Sequence, residues 1–336
     1  MSEKIGVCVV GLGVGSAHAA NLHALKDSVN LYLCDANPDR LKASTQNYAA
    51  KGFLDYKEAM RRPDIHVMDI CLPHHLHCPV AVESAKAGKH VIVEKPMART
   101  LDEADAMLDA ASIANVMVMV AEHHRYISSV IKAKELIDDA VLGDVLLIEC
   151  KLLYGDQNGW PLANDWRRKN ENRGGGVVLS DAVHRVNVMR TLGGEVSSVY
   201  SLQPKNSYFD GEDTAVLSLR YISGAIGILP TSWATRLGKI STGAWFSVYG
   251  TEGTITSDNY SHLRVYSRKL PESIEKPLEL QLENRNIMLA ELKDFVECVM
   301  TGRTALVTGL DGRRDIEICL AAYHSEEMKQ EIRLPL

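Results

Sequence analysis

Apolar positions in the first 120 residues fall in short, nearly unbroken runs. These are IGVCVVG (5–11), NLYLCD (30–35), HVMDICL (66–72), HVIVEK (90–95) and VMVMVAE (116–122). A continuous apolar run of that length is the mark of a strand covered on both faces. The stretches between them, 15–26, 37–50, 55–62, 76–87 and 101–114, carry helical patterns. Strands alternating with helices predict a parallel sheet, and right-handed crossovers make it doubly wound. Thr100, followed by Asp102 and Glu103, supplies an N-cap and an acidic first turn for the helix at 101–114.

The rhythm changes after about residue 123. A helix (126–139) leads through Leu142-Gly143 to a strand at 144–153, then to a polar loop at 155–173. Three glycines (174–176) open a helix near 177–192. Strand-like runs follow at 196–203, 213–221, 225–233, 243–249, 253–257 and 263–268, broken by glycine turns that suit antiparallel pairing. Two helices, near 286–301 and 311–329, close the chain. The pattern divides the chain into a doubly wound domain, 1–123, and an α+β domain, 124–336, whose last helix could pack back on the first. At 336 residues, two domains are also what length alone suggests.

Composition narrows the functions. A net charge of −6 points to neither nucleic acid nor an anionic membrane as partner. No apolar run approaches the roughly 20 residues of a membrane span. The seven cysteines show no CxxC pair, so they read as reduced thiols of a cytoplasmic protein without a signal peptide.

Candidate chemistry clusters where strands end. GLGVGSAH (11–18) joins the first strand to the first helix, so its backbone can approach a pyrophosphate at the helix N-terminus. Gly11 and Gly13 fit the usual GxGxxG spacing. The third glycine, Gly15, comes one place early, beside Val14, and Ser16 stands in its place. Asp35 ends the second strand, 22 residues after Gly13. Its carboxylate could bind both hydroxyls of an adenosine ribose, favouring NAD, although nearby Arg40 keeps NADP open. The competing reading makes Asp35 a helix cap beside the Asn37-Pro38 turn. At the end of the third strand, Leu72, Pro73, His74 and His77 suit cofactor contact, whereas His75 suits a solvated turn. No Cys or carboxylate completes a metal set there.

The fourth strand delivers Glu94-Lys95-Pro96 to the same edge. If a nicotinamide lies across it, Lys95 meets the ring. The cationic ring and partial burial would lower the lysine's pKa, and Pro96 restricts the backbone that aims it. The alternative is an ordinary surface ion pair.

The segment CLPHHLH, then AGKHVIVEKP, then TLDEA resembles the diagnostic stretch of the glucose–fructose oxidoreductase and inositol dehydrogenase (Gfo/Idh/MocA) family. HHRY (123–126), DWRR (165–168), GGGVVLSDAVHRVNV (174–188) and DGRRDIEICLAAYHS (311–325) extend the likeness over nearly the whole chain. The resemblance implies an N-terminal Rossmann domain and a C-terminal domain with an open, mostly antiparallel sheet through which homodimers or homotetramers form. It also implies NAD(P)-dependent oxidation or reduction at a secondary alcohol of a sugar or cyclitol.

Members of that family carry an Asp four residues before the catalytic His. Here His184 is present, but Ser180 holds that position and Asp181 follows it, while Asn187 stands where an Asp is usual. One position on a helix is a rotation of about 100°. Two readings stay open: Ser180 partners His184, or an adjusted helix start lets Asp181 take the usual role. Trp160, Asp165, Trp166 and Arg167 in the polar loop suit a carbohydrate ring, and Arg125 and Tyr126 either contact substrate or brace the domains. Trp233 and Trp245 read as sheet packing or an oligomer interface, outside the site. The rival functions are an NAD-holding sugar sensor without turnover and an NAD-recycling enzyme that cleaves glycosides or epimerises.

Overall fold

The computed structural model describes residues 4–154, 166, 169–204, 210–235 and 243–336. The elements of the N-terminal part run β1 (Ile5–Val10), α1 (Gly15–Ala24), β2 (Val29–Cys34), α2 (Pro38–Tyr48), β3 (Lys51–Phe53), α3 (Tyr56–Met60), β4 (Val67–Ile70), α4 (His77–Lys86), β5 (His90–Glu94), α5 (Leu101–Ala114) and β6 (Val118–Ala121). The six strands form one sheet in the order β3-β2-β1-β4-β5-β6, every pairing parallel. All six residues of β1 and all four of β4 are buried, as central strands under two helical layers require. The order reverses between β1 and β4, so the carboxyl ends of these strands flank a crevice of the kind that binds ligands in such sheets. Strand β3 did not stand out as an apolar run, because its three residues, Lys-Gly-Phe, bury only the last.

The middle of the chain continues with α6 (Ser128–Asp138), β7 (Val145–Cys150), β8 (Leu152–Leu153), α7 (Asn170–Arg173), a π-helical turn at Val178–Ala182 that runs into α8 (Val183–Gly193), then β9 (Val196–Leu202), β10 (Thr214–Tyr221), β11 (Ile226–Ser232), β12 (Phe246–Gly250), β13 (Gly253–Asn259), β14 (His262–Ser267) and β15 (Leu278–Gln281). Helices α9 (Ile287–Thr301) and α10 (Gly309–Met328) and strand β16 (Ile332–Arg333) end it. The second sheet runs β15-β14-β13-β12-β7-β11-β10-β9-β16, with β8 beside β11. Its pairings are antiparallel except where β11 runs parallel to β7 and β8. Successive hairpins alone would not give that exception; α8, β9 and β10 lie between β8 and β11 in sequence and bring the chain back in the same direction. Along β10 the residues Ala215, Leu217, Leu219 and Tyr221 are buried and Val216, Ser218 and Arg220 exposed, so one face is covered and the other open.

Contacts divide the chain into two compact units. The first takes the residues up to His123 together with Asn286–Arg314; the second takes His124–Arg285 and Asp315–Leu336. Within the first, α9 returns to pack on α1 and β6. Arg313 in the first turns of α10 pairs with Asp105 of α5. Within the second, α8 packs on β7 and α6.

Candidate active site

In the first unit, the glycine loop lies at the crevice. Gly11 has φ +92°, and a Cβ there would stand 2.5 Å from the Cys71 carbonyl oxygen, so the loop can turn past β4 only with glycine. A Cβ on Gly15, the first residue of α1, would stand 2.9 Å from Val9 and Cys71. The early glycine therefore serves the close seating of α1 on the sheet. Gly13 has open space around it and Val14 is exposed. No side chain caps α1 at Val14, and of its first amides those of Ser16 and Ala17 donate to the carbonyls of Gly13 and Val14, at 3.3 and 3.0 Å. These features fit a pyrophosphate.

Asp35 is buried and already engaged. Its carboxylate accepts from the amides of Leu12 and Asn37, both at 2.8 Å, and from Arg40 Nη1 at 3.1 Å. It ties the glycine loop to the end of β2, while Asn37 caps α2. Half-exposed Arg40 stands beside it.

His77 is fully buried, with its ring nitrogens 2.8 and 2.9 Å from the carbonyl oxygens of Leu72 and Pro96. Burial holds its pKa below the ordinary histidine value. The ring joins the loop after β4 to the loop after β5, so its role is that of a brace rather than an open contact for a cofactor. His74, also buried, lies against it with ring centroids 5.5 Å apart.

Lys95 follows β5, and its peptide bond to Pro96 is cis. Its amide donates to Glu94 Oε2 at 3.0 Å. Glu94 Oε1 in turn faces His18 Nε2 at 3.2 Å, and His18 Nδ1 faces Asp69 Oδ2 at 3.0 Å. Burial alone would raise the Glu94 carboxyl, but the hydrogen bond and charge of His18, then Lys95 and His123, hold it at about 2. Burial opposes a charge on His18, yet Asp69 and Cys71 keep its pKa well above the ordinary value. His18, Asp69 and Cys71 are close enough to surround a cation. A carboxylate at each ring nitrogen, however, is the geometry of an imidazolium. The sequence reading missed His18 and Asp69. A charged residue inside VMDI, a strand otherwise apolar, was the available signal.

In the second unit, the three glycines lead into the π-helical turn. A Cβ on Gly176 would fall 1.8 Å from the Glu212 carbonyl oxygen. The Glu212 carboxylate accepts from the amides of Gly176 and Val178, both at 2.8 Å, and Tyr323 Oη accepts from Leu179 N at 3.1 Å and donates to Glu212. The helix start is thus capped from β10's approach and from α10. Ser180 is buried in the π-helical turn. Asp181 accepts hydrogen bonds from Tyr154 Oη and, at 2.8 Å, from Trp233 Nε1. That corrects the reading of Trp233 as mere packing: only 1% exposed, it holds a candidate site carboxylate. Trp245 does pack, its indole donating to Ser257 Oγ at 3.0 Å.

His184, on α8, is buried and stacks on His124, with centroids 4.1 Å apart and planes 26° from parallel. Arg185 Nη1 donates to His124 Nδ1 at 3.1 Å and its guanidinium lies 4.5 Å over Trp245. Neither His124 nor Arg185 was singled out in the sequence, since HHRY drew attention only to its last two residues. Of those, Arg125 donates to Thr191 of α8 and Tyr126 is buried. Asn187 and Arg190 both reach Asp315 of α10 at 2.7 Å, which makes the position a structural brace. Trp166 is partly buried, and its carbonyl accepts from Asn172. Trp160, Asp165 and Arg167 lie outside the described residues.

Comparison with known proteins agrees with the two-part fold. Residues 5–122 match the model of an oxidoreductase family's NAD-binding Rossmann fold, and residues 134–334 match that family's C-terminal alpha/beta domain. Myo-inositol 2-dehydrogenase of Thermotoga maritima is 28% identical over 98% of both chains. Levoglucosan dehydrogenase of Pseudarthrobacter phenanthrenivorans is 30% identical over 75% of this chain and 73% of its own. A solved structure of levoglucosan dehydrogenase with NADH and levoglucosan superposes with a TM-score of 0.90, 25% identity, and coverage of 99% of this chain and 100% of that one.

Proposed function

The chain belongs to the Gfo/Idh/MocA oxidoreductase family, and from that premise we propose that it moves hydride between NAD and a secondary alcohol or ketone carbon of a sugar, cyclitol or sugar derivative. The observation that carries the reading is Lys95, anchored through its amide at the end of β5 beside the β1/β4 crevice. NAD, when bound, would supply hydride-transfer chemistry at its nicotinamide.

Gly11, Gly13, Val14 and Gly15 would hold the pyrophosphate, Asp35 and Arg40 would meet the adenosine ribose, and Leu72, Pro73 and His74 would line the edge. Lys95 polarises the substrate oxygen. His184 takes the hydroxyl proton as the carbon gives up hydride, leaving a ketone; the reverse direction returns the same proton. Asp181, held by Trp233 and Tyr154, is a substrate contact, and it or Ser180 partners His184; Arg125, Tyr126, Trp166 and Arg167 complete the substrate groups. Seven free thiols suit a reducing compartment, the cytoplasm. The open face of the second sheet is the surface through which a homodimer or homotetramer forms.

The test is reduced-nicotinamide absorbance across a panel of sugars, cyclitols and sugar acids, with NAD and NADP in parallel. Turnover with NAD that falls by about a thousandfold in Lys95→Ala is expected, a loss in keeping with proton-transfer catalysis and lost positioning. Near wild-type turnover by Lys95→Ala on the best substrate would sink the assignment. Tight NAD binding with no turnover on any substrate would move it to a sensor or a cofactor-recycling enzyme.

A further inference from the structure

We propose that His18 is a positioning residue for Lys95, acting through Glu94, and that Asp69 holds His18 in that role. The inference rests on the reading of Lys95 as the group that meets the substrate oxygen. Three ionisable side chains from three elements meet in the interior of the first unit. His18 comes from α1, Asp69 from β4 and Glu94 from the last position of β5. None is more than 7% exposed, and His18 and Asp69 are at 0%.

Stability is a poor account of such a triad. Taking charges out of water costs about as much as their attraction returns, and apolar side chains of equal volume are often as good or better. The apolar part of the buried face of α1 comes from Gly15, Ala19 and Leu22, beside which His18 is the one ionisable residue. What the triad does is restrict Glu94. One Glu94 oxygen faces His18 and the other accepts the Lys95 amide. His18 in turn is held by both oxygens of Asp69, at 3.0 and 3.1 Å. A contiguous set of contacts therefore runs from α1, the helix that opens on the glycine loop, to the backbone that aims Lys95. Without His18, the carboxylate is free to turn and the aim of Lys95 is lost.

The charges act in the same direction. Asp69 and Cys71 face His18 from β4 and its end, Glu94 from β5 and Glu291 from α9; Glu122 and His123, after β6, act on the same cluster. Burial pushes the Glu291 carboxyl well above its ordinary value against the opposing charge of His18, and Glu94, Glu122 and Asp69 add to the rise. The cation behind Glu94 is then His18. It shares the field of that carboxylate, and Lys95 feels only part of it.

The test uses the full chain with NAD bound. Acetic anhydride acylates Lys95 only as the free amine, so labelling against pH, read by mass spectrometry, gives its titration midpoint, with exposed Lys26 as the reference. In His18→Gln the midpoint of Lys95 is expected to rise by about one pH unit, a tenfold change in its free-amine fraction, and the pH profile of kcat to move with it, while Lys26 stays put. A Lys95 midpoint that is unmoved or falls, in a folded variant that binds NAD, overturns the proposal. Asp69→Asn, which keeps the ring and removes its anchor, is read in the same way if His18→Gln does not fold. Failure of both to fold assigns the triad to stability and overturns the proposal too. The two readings separate cleanly. An active Lys95→Ala overturns the dehydrogenase assignment, whereas an inactive Lys95→Ala together with an unmoved midpoint in His18→Gln overturns only this one.

Discussion

At the scale of the residue, Glu291 is the side chain most at odds with its surroundings. It is fully buried on α9, and neither carboxyl oxygen has a hydrogen-bond partner within the described residues. Its folded pKa is raised well above 4.5, by burial first and then by Glu94, Glu122 and Asp69, with His18 opposing. A raised acid pKa stabilises the fold fully below the unfolded value and loses that contribution as pH rises. Above about pH 4.5 the unfolded chain gives up this proton while the folded chain keeps it, so wild type carries a growing penalty. Glu291→Gln, equal in shape and without the proton, is expected to leave stability unchanged near pH 4 and to raise Tm progressively from pH 5 to pH 8. A Tm difference that is flat across that range would show that Glu291 does not hold the proton. Sequence did not reveal this residue, because an acid in the amphipathic pattern of residues 286–301 looks like an exposed position. Only the return of α9 to α1 buries it. Lys95, Asp35 and His184 were legible because each stands at a strand end or behind a glycine run, where local pattern and chemistry coincide.

At the scale of the element, the start of α8 decides where the candidate site residues of the second unit point. A regular helix from residue 177 would set Ser180 and Asp181 about 100° apart on one cylinder. The π-helical turn at Val178–Ala182 alters that spacing, and Asp181 turns to Tyr154 and Trp233 while His184 stacks on His124. No periodicity announces a π turn, which is why the sequence left Ser180 and Asp181 as alternatives. The turn is held at its head by Glu212, whose carboxylate takes two amides and whose carbonyl takes the Val177 amide at 3.0 Å. Glu212→Ala is expected to cost about 1–3 kcal/mol in chemical denaturation, the loss of a buried cap with its partners left behind. Gly176→Ala forces a methyl onto the Glu212 carbonyl and is expected to cost a similar 1–3 kcal/mol or more. Both variants should lower turnover through the substrate groups while leaving NAD affinity within about twofold, because the glycine loop is in the other unit. Calorimetric NAD titration checks this, and a tenfold loss of NAD affinity would contradict it.

At the scale of the whole molecule, alternation of apolar runs with helices announced the first sheet, but not its strand order or the three-residue strand β3. It announced most strands of the second sheet, but neither the parallel β7–β11 pairing nor the short strands β15 and β16, which pair at the sheet's edges with too few apolar residues to register. The open face of that sheet bears on assembly. Val216 on β10 and Ile226 and Ile228 on β11 are 39%, 44% and 37% exposed, and Leu202 at the end of β9 is 55% exposed. Val216 lies opposite Pro230 and, two residues along, Ser218 lies opposite Ile228, so these side chains share a face. An apolar patch on neighbouring strands is the kind of surface that a second copy covers. Charges placed there should weaken self-association without touching the fold's buried face. Val216→Asp with Ile228→Asp is expected to shift the species seen by light scattering from a dimer or tetramer to smaller forms, with far-UV signal and NAD affinity kept. A wild-type protein that is monomeric at micromolar concentration, or an oligomer indifferent to both charges, would mean that the face serves another purpose.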